Sequence, residues 1–411
     1  MQKKIAIVLG GTVPHISLIK KLKERGYYII LVDFLKYPPA KEYADEHIKE
    51  STLDQDVVYQ IAKARNASLV ISTCIDQANS VCCYVSEKLG LSHPYSYETS
   101  ILVTDKGKMK TVMKANEIPT SDFAVAQNVD DIDWKKVEFP AVVKPVDCNS
   151  SKGVRRVECV DEAKRHFEEA LNLSRSKTAI IETFNQGSEI QVDCVSMASG
   201  VEIMMTRQKQ KINSFGDTLV LQSYGSIFPA QLNDEQYRQV QDISKKIASA
   251  FQLNNTPFFF QAIVTSKGIQ VIELAPRVGG GLSYYALKEF GNYDALDCAI
   301  DSFLGKALNV SSSTLKKVYS TNIIYVNPGN FDHVIGLEEL KSEGIIKDYF
   351  ILKRKGALID GDMRSSNRVA AFVIEGLNYE EIQEKARYAF NNIDVFDGNN
   401  NSLMNKAFYS F

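Results

Sequence analysis

The sequence predicts an α/β fold for the first part of the chain and an α+β fold for the rest. A short β-rich run, Lys4–Leu9, ends in two glycines, and the apolar residues after it recur at helical spacing up to Gly26. A second apolar run, Tyr28–Val32, follows this helix. Strand, helix and strand in this order form a βαβ unit, which implies a parallel sheet.

The same alternation continues through the first hundred residues. It predicts a helix near Val57–Arg65, a strand at Leu69–Ser72 and a helix near Gln77–Leu89. We therefore expect a small doubly wound domain at the start of the chain.

The pattern changes after Thr104. Three strand-like runs with turn residues between them predict an antiparallel sheet: Ala179–Glu182, Ser188–Met197 and Val201–Thr206. Two more runs, Pro257–Thr265 and Gly268–Ala275, predict a β-hairpin.

The composition is that of an ordinary globular protein. Of the 411 residues, 45% are hydrophobic and 24% are charged, which excludes the disordered and fibrous classes. Lys and Arg number 48 against 50 for Asp and Glu, a formal net charge of −2, so we expect no nucleic-acid partner. No apolar run approaches ~18 residues, so we expect no membrane partner either.

The seven cysteines form no CxxC pair and show no zinc-binding spacing. An odd, scattered set favours free thiols in a reducing compartment over a disulfide framework. The first residues, Met1 to Lys4, lead directly into a strand-like run and not into the long apolar stretch of a signal peptide. We therefore expect a cytoplasmic protein.

The first strand-to-helix turn allows a nicotinamide interpretation. Gly10 and Gly11 begin it, and Asp33 at the end of the second strand would suit a ribose. A dinucleotide fingerprint, however, needs three glycines in G-x-G-x-x-G so that the backbone can approach a pyrophosphate. Here Val13 and Pro14 fill that space, which favours a turn that at most contacts a small ligand.

A lysine closes the apolar run that ends at Lys144-Pro145. A buried lysine is costly unless it meets an anion, and the small polar loop Asn149–Val154 behind it can direct backbone N–H groups at phosphate oxygens. The alternative is a solvated lysine at a strand end, followed by a flexible loop.

Two acidic residues, Glu182 and Glu189, flank a turn between strands. Such a hinge can offer backbone groups to a base and a carboxylate to ribose hydroxyls. An ordinary hairpin with solvated acids explains the same pattern.

The predicted hairpin carries Gln261 on one strand and Glu273 on the other, where they can lie opposite one another. Mg²⁺ accepts one or two such protein oxygens and completes its octahedron with phosphates and water. Arg277 follows, with a planar guanidinium for a phosphoryl or carboxylate group, and then three glycines. The alternative is a surface ion pair and a glycine-rich helix start.

Together, and in this order, these segments resemble the ATP-grasp superfamily, most closely its carboxylate–amine ligase, biotin carboxylase and carbamoyl phosphate synthetase branch. The resemblance implies a Rossmann-like pre-ATP-grasp domain at residues 1–103 and an ATP-grasp domain at 104–310, with lobes of about 104–178 and 179–310. Residues 311–411 would form a C-terminal α+β domain.

The resemblance also implies roles for individual residues. Lys106 and Lys144 would hold the ATP phosphates, beneath a flexible loop that includes Ser150, Ser151 and Gly153. The adenine hinge would consist of Glu182, Thr183 and Phe184, and Glu189 would bind the ribose. Gln261 and Glu273 would be the metal ligands, for Mg²⁺ or Mn²⁺, and Arg277 would stabilise the transferred phosphate. Lys144 and Arg277 would be the catalytic pair.

The implied activity is that of an ATP-dependent ligase, which forms an acyl phosphate from a small carboxylate and then an amide with an amine. Ala275 stands where the family usually has Asn, which removes one ligand for the metal or phosphate. An ATP-binding regulator with weak or lost turnover is therefore an alternative, and a purine-biosynthesis ligase or carboxylase is another. We also expect a homodimer, because related enzymes commonly dimerise.

Overall fold

The computed structural model describes residues 3–148, 152–212, 222–360 and 367–409. The chain forms two compact units. Unit 1 comprises Met1–Thr120, Gln191–Met205 and Asn233–Thr314, and unit 2 comprises Ser121–Ile190, Thr206–Leu232 and Leu315–Phe411.

The strands of the described residues are β1 (Ile5–Leu9), β2 (Tyr28–Val32), β3 (Glu46–Ile48), β4 (Leu69–Ser72), β5 (Phe123–Ala126), β6 (Ala141–Pro145), β7 (Arg155–Val157), β8 (Ala179–Thr183), β9 (Ser188–Met197), β10 (Gly200–Lys211), β11 (Ser223–Phe228), β12 (Thr256–Thr265), β13 (Gly268–Ala275), β14 (Val318–Ile324), β15 (Gly329–Ile335), β16 (Asp348–Ile351), β17 (Ala357–Ile359), β18 (Ala370–Gly376) and β19 (Asp394–Asp397).

The α-helices of the same residues are α1 (Val13–Glu24), α2 (Gln55–Ala64), α3 (Asp76–Leu89), α4 (Tyr97–Thr104), α5 (Lys106–Ala115), α6 (Val160–Leu173), α7 (Asp234–Ala250), α8 (Ser283–Glu289), α9 (Ala295–Phe303), α10 (Leu337–Ser342) and α11 (Tyr379–Asn392). Side-chain caps begin several of them. Asp105, for example, accepts a hydrogen bond from the backbone N–H of Lys108 at the start of α5, and Asn233 forms a capping box with Gln236 at the start of α7.

The first sheet of unit 1 is parallel, with the strand order β3-β2-β1-β4. Strand β1 pairs with β2 on one side and with β4 on the other, so the order of the strands reverses between β1 and β4. In open α/β sheets a ligand commonly binds beyond the carboxyl ends of the strands at such a point. The predicted doubly wound fold of this region is confirmed.

The core of this sheet includes residues from far along the chain. Ile300 and Phe303 of α9 are buried in the same cluster as the strand residues of β1, β2 and β4. Ion pairs also join α9 to α1: Lys21 contacts Asp294 at 2.6 Å, and Arg25 contacts Asp301 at 2.6 Å. The amino-terminal sheet is therefore completed by a helix near residue 300.

A second sheet of unit 1 has neighbouring strands in the order β13-β12-β9-β10. The predicted hairpin is confirmed, because β12 and β13 pair in antiparallel register. Strands β9 and β10 each have residues in both units.

Unit 2 contains an antiparallel sheet with the order β5-β8-β6-β7, against which α6 buries Phe167. This corrects one sequence prediction. Ala179–Glu182 was expected to share a sheet with Ser188–Met197 and Val201–Thr206, but β8 pairs with β5 and β6. A short apolar run predicts a strand but does not identify its partner, and β8 is buried between two other strands.

The remainder of unit 2 is built on strands β10, β11, β14, β18 and β16, in that order, and on a smaller sheet with the order β17-β15-β19. Helix α11 packs on this region, and an aromatic cluster of Tyr224, Phe390 and Tyr409 fills its core. This agrees with the α+β character expected for the end of the chain. No helix among the described residues has both the length and the apolar character needed to span a bilayer.

Candidate active site

The hairpin β12–β13 aligns the two predicted metal ligands. Gln261 and Glu273 are direct register partners, and a register shift follows Gln261. Side chains directly opposite on neighbouring strands have Cβ atoms ~5 Å apart. Both residues are partly buried. An amide oxygen and a carboxylate at this spacing suit a hard cation that takes its other ligands from phosphates and water. Among the described residues there is no group of three or more His, Cys, Asp or Glu that could hold a metal ion.

Arg277 follows the same hairpin and is held by an acid that the sequence analysis did not single out. Its Nε donates to Oδ1 of Asp76 at 2.5 Å, and its Nη2 donates to Oδ2 at 2.7 Å. Its Nη1 donates to the backbone oxygen of Val278 at 3.0 Å. Burial alone would lower the pKa of Arg277, but the charge and hydrogen bonds of Asp76 outweigh burial and raise it.

Lys106 is the first residue of α5 and is 9% exposed. The middle of the same helix is linked to the hairpin by two hydrogen bonds. Nζ of Lys110 donates to Oγ1 of Thr120 at 2.6 Å, and that hydroxyl donates to the backbone oxygen of Val271 at 2.8 Å. The elements that carry Lys106, Gln261, Glu273 and Arg277 therefore belong to one packed unit.

Lys144 forms a buried ion pair with Glu182. The two side chains are 5% and 8% exposed. Their strands are antiparallel, with Val142 opposite Glu182, so Lys144 is the diagonal neighbour of Glu182 on the same face of the sheet. Lys144 is therefore not a solvated lysine at a strand end, and Glu182 is not a solvated acid. Both of these alternative interpretations are wrong.

The predicted adenine hinge already uses two of its backbone N–H groups. Thr183 donates to the backbone oxygen of Asp122 at 2.9 Å, and Phe184 donates to that of Pro140 at 3.0 Å. The Phe184 ring is also covered by Arg156, whose guanidinium carbon lies 4.5 Å from the ring centroid. A base bound here must therefore use other polar groups of the hinge.

Glu189 forms an ion pair with Lys211, the last residue of β10. Lys211 belongs to the basic run 207–211, and Arg207 of the same run is buried, 3% exposed.

Gly153 is one of the three described residues, 152–154, of the predicted phosphate loop Asn149–Val154. It has φ +73°, and a Cβ there would approach Leu173 Cδ1 to 2.7 Å and Pro145 Cγ to 3.0 Å. This position therefore requires glycine for both backbone conformation and space. Ser150 and Ser151 lie outside the described residues.

The first strand-to-helix turn is occupied by the protein's own groups. Oδ2 of Asp33 accepts the backbone N–H of Gly11 at 2.7 Å, and Oδ1 accepts that of Leu35 at 2.8 Å. A Cβ on Gly11 would approach Pro38 to 2.4 Å. Asp33 therefore stabilises the turn, and this geometry disfavours the nicotinamide interpretation.

The predicted site residues divide between the two units. Unit 1 contains Lys106, Gln261, Glu273 and Arg277, and the described members in unit 2 are Lys144, Gly153, Glu182, Thr183, Phe184 and Glu189. The sequence analysis did not identify Asp76 or Lys211 as partners of these residues. For Asp76 one signal was available, because it is an acid just beyond the carboxyl end of β4, beside the point where the strand order reverses.

Comparisons with known proteins agree with these motifs. Residues 104–281 match the ATP-grasp (A) domain of phosphoribosylglycinamide synthetase. The L-arginine-specific L-amino acid ligase of Bacillus subtilis is 22% identical over 354 residues, which is 83% of each chain.

Solved structures show the same fold over nearly the whole chain. The L-amino acid ligase of Bacillus licheniformis superimposes with a TM-score of 0.81 at 21% identity, covering 97% of this chain and 100% of that one. The biotin carboxylase domain of the Hydrogenobacter thermophilus 2-oxoglutarate carboxylase, in complex with MgADP, ADP and bicarbonate, gives a TM-score of 0.76 at 15% identity, covering 96% and 91%. These likenesses confirm the predicted mixed α/β and α+β fold class. Residues 104–281 belong to the ATP-grasp domain family, as the order of the motifs predicts.

Proposed function

We propose that this chain, an ATP-grasp ligase that forms C–N bonds, activates a small-molecule carboxylate as an acyl phosphate and joins it to an amine. The observation that carries the proposal is the cross-strand pair Gln261 and Glu273, followed directly by the fixed guanidinium of Arg277. Two hard oxygen ligands beside a planar donor are suited to a phosphoryl group in transfer.

The reaction proceeds in two steps. A carboxylate oxygen attacks the γ-phosphorus of ATP, the bond to the β–γ bridging oxygen breaks, and ADP leaves. The amine nitrogen then attacks the acyl carbon, inorganic phosphate leaves, and the nitrogen loses a proton. The products are an amide, ADP and phosphate. Most of the catalysis of such a transfer is positioning and electrostatic stabilisation.

The residues of unit 1 serve the transferred group. Gln261 and Glu273 fit Mg²⁺ or Mn²⁺, which when bound would neutralise charge on the phosphate oxygens. Arg277 donates to the oxygens of the phosphoryl group and of the acyl phosphate, and Lys106 contributes a further positive charge. Ala275 offers no ligand, so water would complete the coordination shell of a bound metal ion.

The residues of unit 2 serve the nucleotide. Lys144 binds phosphate oxygens, Glu182 with Thr183 and Phe184 forms the adenine hinge, and Glu189 accepts from the ribose hydroxyls. Ser150, Ser151 and Gly153 are the proposed phosphate-binding residues of the segment 149–154.

Amino acids are the proposed substrates, one giving its carboxylate and the other its amine, by analogy with the two L-amino acid ligases. The match of residues 104–281 to a phosphoribosylglycinamide synthetase domain supports a second candidate, a ligase for phosphoribosyl amines. We also propose a cytoplasmic location, supported by seven free cysteines, and a homodimer.

A substrate screen tests the activity. Purified protein with Mg-ATP is supplied with pairs of L-amino acids, and separately with purine precursors, and both phosphate release and new amide masses are measured. We expect phosphate release only when an acid and an amine are both present. ATP binding with no ADP formed from any mixture would overturn the ligase and leave the regulatory interpretation.

A matched pair of variants on the hairpin tests the metal ligands. Glu273→Ala should abolish ADP production with an unchanged circular dichroism spectrum, because it removes the only carboxylate of the proposed metal pair. Gln270→Ala, on the same strand, should retain wild-type turnover. Undiminished turnover in Glu273→Ala would refute the metal assignment.

A further inference from the structure

The carboxylate of Asp76 fixes the plane of the Arg277 guanidinium through two parallel hydrogen bonds. The bonds measure 2.5 and 2.7 Å, and the two side chains are 19% and 12% exposed. Bidentate pairing of this kind sets direction as well as energy. The acid begins helix α3 and the arginine follows strand β13, so the pair joins elements separated by 201 residues.

Three hydrogen bonds to described residues use three of the five N–H donors of the Arg277 guanidinium. Asp76 takes two of them, on Nε and Nη2, and the Val278 oxygen takes one on Nη1. Among the described residues no hydrogen bond uses the second donor of either Nη atom, and two donors suit two oxygens of a phosphoryl group. The ring of Phe259, with its centroid 5.1 Å from the guanidinium carbon, further restricts the side chain.

The turn that carries Asp76 also holds the backbone beyond Arg277. Cys74 donates its S–H to the backbone oxygen of Gly279 at 3.2 Å. Cys74 has φ +63°, a left-handed conformation that is costly for a residue other than glycine and that persists where the surrounding structure enforces it. The β4–α3 turn thus contacts both the side chain of Arg277 and the glycine turn after it.

We propose that Asp76 is the positioning residue for Arg277: it orients the guanidinium so that the second donors of its two Nη atoms meet the transferred phosphoryl group and the acyl phosphate. Asp76 itself does not contact the reacting atoms. Its charge also offsets that of the arginine, so that Arg277 acts through directed hydrogen bonds more than through net charge, which limits the retention of product phosphate. This proposal rests on the proposed function.

Kinetics of three variants test the proposal. Asp76→Asn retains the size of the side chain but can accept only one of the two bonds, so kcat should fall about 10- to 100-fold while the KM for ATP stays within about twofold. Asp76→Glu restores a carboxylate and should recover a large part of the loss. Asp301→Asn breaks another Asp–Arg pair of unit 1, with Arg25, and should retain wild-type kcat. Equal kcat in Asp76→Asn and wild type would overturn the proposal, as would equal losses in Asp76→Asn and Asp76→Glu.

Nitrogen-15 NMR of the arginine Nε–H groups gives a readout that does not depend on turnover. We expect a slowly exchanging Nε–H resonance for Arg277, identified by its loss in Arg277→Lys, and expect it to disappear in Asp76→Ala but not in Asp301→Asn. If the wild-type protein shows no turnover, the proposed function fails, and the resonance alone then decides whether Asp76 and Arg277 pair. Its persistence in Asp76→Ala would refute a positioning role.

Discussion

Lys211, at the end of β10, forms an ion pair with Glu189 at the start of β9. Glu189 is the carboxylate that we propose for the ribose. The pair is partly exposed, with side-chain exposures of 37% for Lys211 and 13% for Glu189. Lys211 therefore orients the acid while leaving it accessible to a ligand.

We predict that Lys211→Met raises the KM for ATP about 3- to 10-fold with little change in kcat, because Glu189 loses one charge-assisted hydrogen bond of roughly 1–2 kcal/mol. Steady-state kinetics at varied ATP would measure this. Lys245→Met, an exposed lysine of α7, is the control and should leave KM unchanged. An unchanged KM in Lys211→Met would show that Glu189 needs no such partner.

The buried pair of Lys144 and Glu182 makes a prediction about stability. Removing one member leaves the other charged and buried, so Lys144→Met should lower the free energy of unfolding by about 3–5 kcal/mol. The double variant Lys144→Met with Glu182→Gln should recover much of that loss. The exposed pair of Arg65 and Glu46 is the control, and Arg65→Ala should cost about 1 kcal/mol or less.

Fluorescence can follow this experiment because the chain has one tryptophan, Trp134. It packs edge-on against Phe167, with ring centroids 6.2 Å apart, in the core of the sheet that carries Lys144 and Glu182. Urea unfolding monitored at Trp134 therefore reports on the relevant part of unit 2. Equal stability of Lys144→Met and wild type would contradict the description of the pair as buried and interdependent.

The buried ring of His15 predicts a pH dependence. Burial lowers the pKa of His15 from 6.5 to about 4, although hydrogen bonds with the backbone of Leu9 and Thr12 act in the opposite direction. Between these two values the unfolded chain binds more protons than the folded one, so stability is complete above about pH 6.5 and declines as the pH falls to about 4. The loss from this group is about 3 kcal/mol.

His15→Gln should flatten the decline in stability between pH 6.5 and pH 4, because the substituted side chain does not titrate. Thermal unfolding followed by circular dichroism over that range would measure the effect. A profile of the same slope in His15→Gln and wild type would place the titrating groups elsewhere.

The hairpin that carries Gln261 and Glu273 could be predicted from the sequence because it is local. The short turn after Thr265 fixes its register as far as Ala262 and Val271, and that register alone would set Gln261 opposite Ile272. The register shift after Gln261, which the sequence does not show, sets it opposite Glu273 instead. The ATP-grasp resemblance could be recognised from the sequence because it depends on the order of short local segments.

Partners distant in sequence could not be predicted in the same way. Nothing local to Arg277 indicates that Asp76, 201 residues away, binds it. The predicted pairing of β8 failed for the same reason, because a short apolar run does not specify which strands flank it. Nor does the sequence show that Lys211 pairs with Glu189, 22 residues away.

The burial of Ile300 and Phe303 beneath the amino-terminal sheet has a consequence during translation. The ribosome releases β1 and α1 long before it synthesises α9. Until α9 is made, the nascent segment therefore lacks two of its core residues and the acids that pair with Lys21 and Arg25. Contacts of such sequence separation form slowly. Residues of β1 and α1 thus leave the ribosome well before α9 does and reach their final packing only after it.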